Sequence, residues 1–332
     1  MISSKKSEKE FRRGIMDNIL VAGANGAAGS YLCEYIVREH PEVQCHGLSR
    51  WHSTTHSNNL SAVKDKVIMH ECDLNDLSSL IRVLRVVKPV KVFNLAAHAN
   101  VRMAFETPLA VLQNNMMSTA NLLEGIRLEC PDTIYNQCST SEVYGDPKVV
   151  PITEEHRRMP VNPYAASKLC QESLVYAYFM SYKLKAVITR AFAYICPRRM
   201  EIFSTWFAYQ IKLIEEGKKD KLHHGNLQSI RTLIDVRDIV HAYWIASEQC
   251  EYGLPYNIGG KGIISVGQFL DLLIKKAKCP IKTYQDPALM RPTDITNQVV
   301  DVTRFVERTG WEPRYSLEQS VEFLLEHVRG ME

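Results

Sequence analysis

The stretch NPYAASK, residues 162–168, places a tyrosine and a lysine where they could carry out acid–base chemistry. Asn162 is a good helix N-cap and Pro163 suits a first turn, so a helix is predicted to begin here. Tyr164 and Lys168 are four residues apart and therefore share one face of that helix. A phenol has an ordinary pKa of about 10, and a nearby ammonium with an oxidised nicotinamide would favour its phenolate. Such a pair can accept a sugar hydroxyl proton while hydride leaves the same carbon; in isolation it is more often a surface pair.

A second polar group lies in CSTSEVYG, residues 138–145, which follows the apolar run TIYNQ. Thr140 and Glu142 are predicted to alternate on one face of this strand, so that both point at the same substrate. Glu142 is either a solvated residue at a strand end or a general base. The residues of this stretch alone leave the choice open; as a base, Glu142 would contribute about 10²–10⁴ in rate through a positioned proton transfer.

A glycine-containing turn follows the first predicted strand, NILVAGA at 18–24, and leads into a helix. Its spacing is G-x-x-G-x-x-G, and glycines here allow backbone N–H groups to approach a pyrophosphate at a helix N-terminus. An ordinary strand–helix turn is the alternative, but the position at the first strand of an alternating chain favours a dinucleotide site. The residues are Gly23, Ala24, Asn25, Gly26, Ala27, Ala28 and Gly29.

The end of the second predicted strand, 43–50, bears on the choice between NAD and NADP. Residues 43–56 contain no Asp or Glu that could accept from a ribose 2′-hydroxyl, and Arg50 stands at the expected place. A guanidinium pairs with phosphate through bonds of about 1.5–3 kcal/mol each, so NADP is predicted, although Arg50 can also be a solvated cation. The residues that complete this site are Trp51, His52 and Ser53 beside Arg50, Asp73 and Leu74 at the adenine, and Leu95, Ala96, Ala97 and His98 beneath the nicotinamide ribose.

Short β-rich runs alternate with amphipathic segments up to about residue 192, which predicts a parallel sheet covered on both faces. The expected fold is an α/β Rossmann-type doubly wound parallel sheet with a smaller C-terminal substrate-binding lobe. The predicted divisions are a flexible arm at 1–14, an NADP-binding domain at 15–192 to which 232–262 returns, and the lobe at 193–332.

Composition excludes several classes of protein. The 332 residues are 45% hydrophobic and 23% charged with a net charge of +3, and no basic stripe suggests nucleic-acid binding. The nine cysteines include no C-x-x-C pair, so reduced thiols are predicted and no metal site is expected. No apolar run has the length of a membrane span, and the N-terminus lacks the apolar region of a signal peptide.

Together the motifs make the chain resemble the extended short-chain dehydrogenases/reductases of the epimerase/dehydratase superfamily, and within them the GDP-mannose 4,6-dehydratase family. The resemblance covers about residues 17–328. The glycine and Y-x-x-x-K motifs mark the superfamily only, whereas TSE before VYG together with PRR is more selective. The segments that carry it are GANGAAGSYL, STSEVYG, NPYAASK, CPRR at 196–199, GNLQSIR at 225–231, RPTD at 291–294 and GWEP at 310–313.

The resemblance implies an NADP-dependent nucleotide-sugar dehydratase, with Thr140, Glu142 and Tyr164 as the catalytic set and Lys168 supporting cofactor and tyrosine. Oxidation of C4 acidifies the C5 proton, Glu142 removes that proton and helps expel the C6 hydroxyl, and the stored hydride returns to C6. The product is a 4-keto-6-deoxy sugar. The resemblance also adds Ala99 and Arg199 to the NADP site and implies a GDP-sugar site containing Asn226, Arg231 and Arg291, to which Ser141 is added as a candidate.

Three stretches differ from the family pattern. The family's Asn-His-Glu-Ser before Pro-Arg-Arg is replaced by the residues 193–196, AYIC, so a polar face becomes largely apolar. The family's Gln-Ser after the fourth strand is His98-Ala99, and its paired arginines are Arg50 and Trp51. His98 is either an added acid–base or sugar contact, or a hydrogen-bonded histidine packed near the cofactor. These changes leave the identity of the sugar more open than the fold or the cofactor.

Two other functions remain open. A 4-keto-sugar reductase or C4 dehydrogenase would use a single hydride step, and SIRTLIDVRDIVHAYW also resembles the related GDP-4-keto-6-deoxymannose reductases. A non-catalytic NADP-binding protein is the other, although the four retained catalytic residues argue against it. The resemblance further implies a cytoplasmic homo-oligomer, dimer or tetramer, in which the loop RWHSTTHSNN reaches a neighbouring subunit.

Overall fold

The larger sheet is built from the short apolar runs of the first half of the chain and one later strand. The computed structural model describes residues 16–50, 57–290 and 294–331. The strands of this sheet are β1 (Asp17–Ala22), β2 (Val43–Ser49), β3 (Val67–Glu71), β4 (Lys91–Asn94), β5 (Ile134–Thr140), β6 (Lys185–Ala191) and β10 (Pro255–Ile258). They pair in parallel in the order β10-β6-β5-β4-β1-β2-β3. Parallel strands are usually buried on both faces, which explains their continuous apolar sequences.

Helices cover both faces of this sheet. Ile19 and Val21 of β1 pack into one apolar core, whereas Leu20 and Ala22 pack into a second core on the opposite face. The first core is closed by α1 (Ala27–Glu39) and α7 (Val236–Gln249), and the second by α2 (Leu77–Val87), α4 (Pro108–Glu129) and α5 (Pro163–Tyr182); α3 (Val101–Glu106) precedes α4. The predicted Rossmann-type doubly wound α/β fold is therefore confirmed.

A smaller lobe with its own apolar core follows β6. Phe207, Phe269 and Leu324 are buried in this core. The helices that form this core are α6 (Phe203–Glu215), α8 (Val266–Lys275) and α10 (Leu317–Arg329). A further short helix, α9 (Thr303–Thr309), packs elsewhere: its Phe305 lies in the first core of the larger sheet. The strands of the smaller lobe are β7 (Tyr194–Ile195), β8 (Leu222–His224), β9 (Ile230–Asp235), β11 (Gly262–Ser265), β12 (Thr283–Gln285) and β13 (Asn297–Gln298).

The segment 232–262 contributes strands to both the larger and the smaller sheet. The strand β10 joins the larger sheet beside β6, and α7 packs on α1. The strand β9 instead pairs with β7, β11 and β13 in the smaller sheet. The turn after β10 explains this placement, because a side chain at Gly260 would lie 2.0 Å from the carbonyl oxygen of Leu233. Only glycine lets the chain fold back closely enough for β11 to pair with β9.

The polar segment after β5 is not extended. The strand ends at Thr140, and Ser141–Tyr144 forms a 3-10 turn. The prediction that Thr140 and Glu142 alternate along one strand is therefore wrong. The physical reason is local, because the hydroxyl oxygen of Thr140 accepts a bond of 3.3 Å from the backbone N–H of Glu142 and begins the turn.

Within the described ranges, no helix is both long and apolar enough to cross a membrane. In the same ranges, no group of three or more His, Cys, Asp or Glu side chains is placed to hold a metal ion.

Candidate active site

A cavity of about 750 Å³ lies where the carboxyl ends of the larger sheet's strands face the smaller lobe. In doubly wound sheets, ligands bind at this edge. A second pocket, of about 130 Å³, shares Leu95 and Ala97 with it. The larger cavity is lined by the predicted residues Ala28, Leu95, Ala97, Ala99, Thr140, Ser141, Glu142, Tyr164, Lys168, Arg199, Asn226 and Arg231. The smaller pocket is lined by Gly23, Asn25, Gly26, Arg50, Asp73, Leu74, Leu95, Ala96, Ala97 and His98.

The turn after β1 has the close backbone packing that a pyrophosphate site requires. Gly23 has a positive φ of 82°, and a side chain there would lie 3.0 Å from the backbone nitrogen of Ala96. A side chain at Gly29 would lie 2.1 Å from the carbonyl oxygen of Gly23. Gly26 is the N-cap of α1, and Ala27 is the first residue of that helix. The backbone N–H groups of this helix start therefore stay uncovered by side chains, as a dinucleotide phosphate needs.

The smaller pocket has the features of an adenosine site. Arg50 and His98 lie on it together, and burial and the charge of Arg50 both lower the pKa of the His98 imidazole. Asp73 is held by the backbone and side chain of Asn75, at 2.9 and 3.3 Å. Leu74 is buried and offers an apolar wall. The predicted residues Trp51, His52 and Ser53 lie outside the described part of the chain.

Glu142 is joined to the helix that carries Tyr164. The side-chain amide of Asn162 donates to the carboxylate of Glu142 at 2.7 Å, while its carbonyl oxygen accepts from the backbone N–H of Ala165 at 2.8 Å. Asn162 is thus the N-cap of α5 and a partner of the predicted base at the same time. Through Asn162, the predicted base Glu142 is therefore held against the start of the helix that carries the predicted phenol, Tyr164.

Tyr164 and Lys168 have different surroundings. The ammonium of Lys168 donates to the carbonyl of Cys138 at 2.6 Å, and burial lowers the pKa of Lys168 to about 8. Burial raises the pKa of the Tyr164 phenol, whereas the charge of Arg199 and a hydrogen bond with Thr140 act to lower it. Arg199, which the resemblance assigned to the NADP site, therefore also acts to lower the pKa of the Tyr164 phenol.

The far wall of the cavity carries the predicted sugar-nucleotide residues. The amide of Asn226 donates to the carboxylate of Asp294 at 2.7 Å, and the hydroxyl of Ser229 donates to the same oxygen at 2.9 Å. The guanidinium of Arg231 lies 3.8 Å from the other carboxylate oxygen of Asp294. This network orients an amide and a cation toward the cavity, while Arg291 lies outside the described residues.

Two supporting residues were not predicted for these roles. Asp294 belongs to the RPTD segment at 291–294, so that motif could have indicated that Asp294 lies at the site. Asn115 is fully buried in α4, and no motif in the sequence marked it. It accepts from the backbone N–H of His98 at 2.7 Å and donates to the hydroxyl of Ser167 at 2.9 Å. Asn115 therefore ties the floor of the predicted cofactor site to the helix of Tyr164.

The fold and these contacts define a class of protein. A doubly wound sheet with a glycine turn after β1 and a Tyr-x-x-x-Lys helix at the cavity wall characterises the extended short-chain dehydrogenases/reductases. In agreement, the solved structure of "RMD from Pseudomonas aeruginosa complexed with NADPH" superposes with a TM-score of 0.81 at 25% identity, covering 95% of this chain and 99% of that chain.

Sequence comparison narrows the class. Residues 20–324 match the family model described as GDP-mannose 4,6 dehydratase. GDP-mannose 4,6 dehydratase 1 of Arabidopsis thaliana is 31% identical over 322 residues, covering 92% of this chain and 88% of that protein. A GDP-6-deoxy-D-mannose reductase of Pseudomonas aeruginosa is 30% identical over 241 residues, covering 71% of this chain and 79% of that protein. The chain belongs to the GDP-mannose 4,6-dehydratase family, as its motifs predicted, and is an enzyme of the hydro-lyase class.

Proposed function

We propose that this enzyme is an NADP-dependent 4,6-dehydratase that converts GDP-mannose, or a related GDP-sugar, to the 4-keto-6-deoxy sugar. The observation that carries the proposal is the bond of 2.7 Å between Asn162 and Glu142. It holds a carboxylate in the cavity at a fixed place relative to Tyr164. A single hydride step at C4 needs no such carboxylate, whereas removal of the C5 proton does.

The residues of the chain fit the cofactor. The uncovered helix start after Gly23 suits a pyrophosphate, and Arg50 supplies the cation for a 2′-phosphate. When bound, NADP supplies a hydride acceptor for C4 and a hydride donor for C6. The chain supplies the proton transfers. Tyr164 takes the proton of the C4 hydroxyl, which requires its phenolate, and Lys168 and Thr140 support it in this role.

Glu142 acts once C4 is a ketone. The carbonyl makes the C5 proton acidic, Glu142 removes that proton, and the C6 hydroxyl leaves as water after protonation from the same carboxyl group. The net change is the loss of one water. The C5 proton leaves with the C6 hydroxyl, the hydride would return to C6, and the proton that Tyr164 accepted would pass to C5. Ser141 contacts the substrate from the same turn, and Asn226, Arg231 and Arg291 hold its diphosphate.

The single-step reductase is the second candidate, and the reductase relative that is 30% identical favours it. The two functions are separated by incubating the purified enzyme with GDP-mannose and catalytic NADP but no added reductant. A product lighter by one water, with unchanged total NADPH, supports the dehydratase. Absence of this product, together with stoichiometric NADPH consumption on a 4-keto-6-deoxy GDP-sugar, would replace it with the reductase.

We also propose a cytoplasmic homo-oligomer. Exposed apolar side chains on the outer surfaces of α4 and α5 support an interface between copies, since such patches commonly mark protein contacts. They are Leu109, Met117, Leu128, Tyr176, Met180 and Tyr182. Light scattering should show a dimer or tetramer that Leu109→Glu with Met180→Glu dissociates. A native mass of one chain would refute the oligomer.

A further inference from the structure

Arg198 joins the turn after β7 to α1, the helix that follows the glycine turn. One guanidinium nitrogen, Nη2, donates to the carboxylate of Glu34 at 2.6 Å, and the other, Nη1, donates to the hydroxyl of Ser30 at 2.9 Å. The guanidinium carbon lies 4.1 Å from the centre of the Tyr31 ring, which is a cation–π distance. The side chains of Arg198 and Glu34 are only 15% and 19% exposed, so solvent screens this ion pair less than it screens a surface pair.

Ser30 extends this contact to the start of α1. Its hydroxyl, which accepts from Arg198, donates to the carbonyl of Ala27 at 2.9 Å, and its backbone N–H donates to the carbonyl of Gly26 at 2.9 Å. Gly26 is the N-cap and Ala27 the first residue of α1. The backbone N–H groups at a helix start are free to bind phosphate. Two consecutive hydrogen bonds therefore connect Arg198 to the turn that must present these groups to a pyrophosphate.

The turn that carries Arg198 is itself fixed. The carbonyl of Cys196 accepts from the backbone N–H of Arg199 and from the hydroxyl of Thr205 in α6, both at 2.9 Å. In the same turn, Nη2 of Arg199 donates at 2.8 Å to the carbonyl of Ala99, which lines the larger cavity. Two adjacent arginines thus bind two sides of the predicted cofactor site. Arg198 binds the helix of the pyrophosphate turn, and Arg199 binds the segment after β4.

We propose that Arg198 is a positioning residue for NADP. By binding Ser30 and Glu34, it holds the start of α1 in the place where the pyrophosphate binds. Arg198 lines neither of the two pockets described above, so its effect on the cofactor passes through α1. The proposal concerns the cofactor alone and is independent of which sugar the enzyme converts.

The test is the affinity of the full-length protein for NADP, measured by protein fluorescence without sugar. Arg198→Met should raise the Kd for NADP roughly tenfold, the effect of losing about one hydrogen bond to a charged group. Arg198→Lys keeps the charge and can still pair with Glu34, so it should recover part of the affinity. Glu34→Gln should weaken NADP binding severalfold. The double variant Arg198→Met with Glu34→Gln should bind no more weakly than Arg198→Met, because both changes break the same contact.

Glu34→Gln separates a positioning role from a direct effect of charge. If Arg198 acted only by attracting the phosphates, removal of the Glu34 carboxylate would take away a repelling charge and tighten NADP binding. Tighter or unchanged binding in Glu34→Gln therefore overturns the proposal. So does unchanged binding in folded Arg198→Met, or an Arg198→Lys variant that binds no better than Arg198→Met. Glutamine is close to glutamate in shape, so Glu34→Gln decides the matter even if Arg198→Met does not fold.

Arg329→Met is the matched control. Arg329 forms a similarly shielded ion pair with Glu215 at 2.6 Å, but in the smaller lobe and away from α1. This variant should bind NADP with wild-type affinity. A loss as large as that in Arg198→Met would show that NADP binding responds to any broken ion pair, and would overturn the specific role of Arg198. Because no sugar is present, failure of the GDP-mannose assay would affect the dehydratase proposal alone.

Discussion

The bond between Asn162 and Glu142 allows the position of the base to be separated from the stability of the helix. Asn162 performs two tasks, because it caps α5 through its carbonyl oxygen and holds Glu142 through its amide. Asn162→Ala removes both interactions. Asn162→Ser keeps a good N-cap but has no amide and is too short to reach the carboxylate.

The magnitudes follow from these two bonds. Both variants lose the bond to Glu142, so the difference between them reports the cap. Asn162→Ala should lose about 1 kcal/mol more unfolding free energy than Asn162→Ser. Loss of a hydrogen bond to a charged group is worth about 1.5–3 kcal/mol. If that energy serves to place Glu142 for C5 deprotonation, the rate should fall roughly 10- to 100-fold in both variants.

The assay is exchange of the C5 proton with D₂O, followed by NMR during turnover of GDP-mannose, alongside urea unfolding of each variant. NADP binding, measured by protein fluorescence, should be unchanged and serves as the control for an intact site. Wild-type exchange in Asn162→Ser would refute the reasoning. So would an equal stability loss in the serine and alanine variants, because the cap would then not account for the difference.

Three further outcomes are expected. Glu142→Gln should retain NADP affinity while C5 exchange falls by about 10²–10⁴, and unaltered exchange would exclude Glu142 as the base. Arg50→Ala should weaken NADP binding roughly 10- to 100-fold in a titration with little effect on NAD; equal losses for both cofactors would rule out a 2′-phosphate contact. Burial lowers the pKa of Lys168 to about 8 from the ordinary 10.5, so the unfolded state binds the extra proton between these values. Unfolding free energy should therefore rise from pH 8 to 10.5 in the wild type relative to Lys168→Met, and parallel curves would contradict this assignment.

Residues from two of the three departing stretches meet at the wall of the larger cavity. The carbonyl of Ala99 accepts from the guanidinium of Arg199, and Ala193 and Tyr194 line the same cavity. Ile195 and Cys196, which also replace polar residues, are buried in the apolar cores instead. Successive side chains of β7 point to opposite sides, so Tyr194 lines the cavity whereas Ile195 is buried in the apolar core of the smaller lobe.

Local patterns in the sequence were enough to predict the layers of the fold, the glycine turn and the Tyr-x-x-x-Lys pair. Strand and helix periods, the glycine spacing, and the Tyr-x-x-x-Lys pair depend on residues within a few positions of one another. Parallel strands then bring their carboxyl ends to one edge whatever the details of packing. This is why residues as distant in sequence as Gly23, Glu142 and Tyr164 lie at the same edge of the sheet.

The tertiary structure decided what those side chains touch. Arg199 meets Ala99 across 100 residues, Asn115 meets Ser167 across 52, and β9 leaves the larger sheet to pair with β11. No local pattern records such contacts, because their geometry depends on how whole elements pack and on which buried polar groups must find partners. The sequence determined the kind of chemistry, and packing determined which side chains meet at the cavity and hold one another in place.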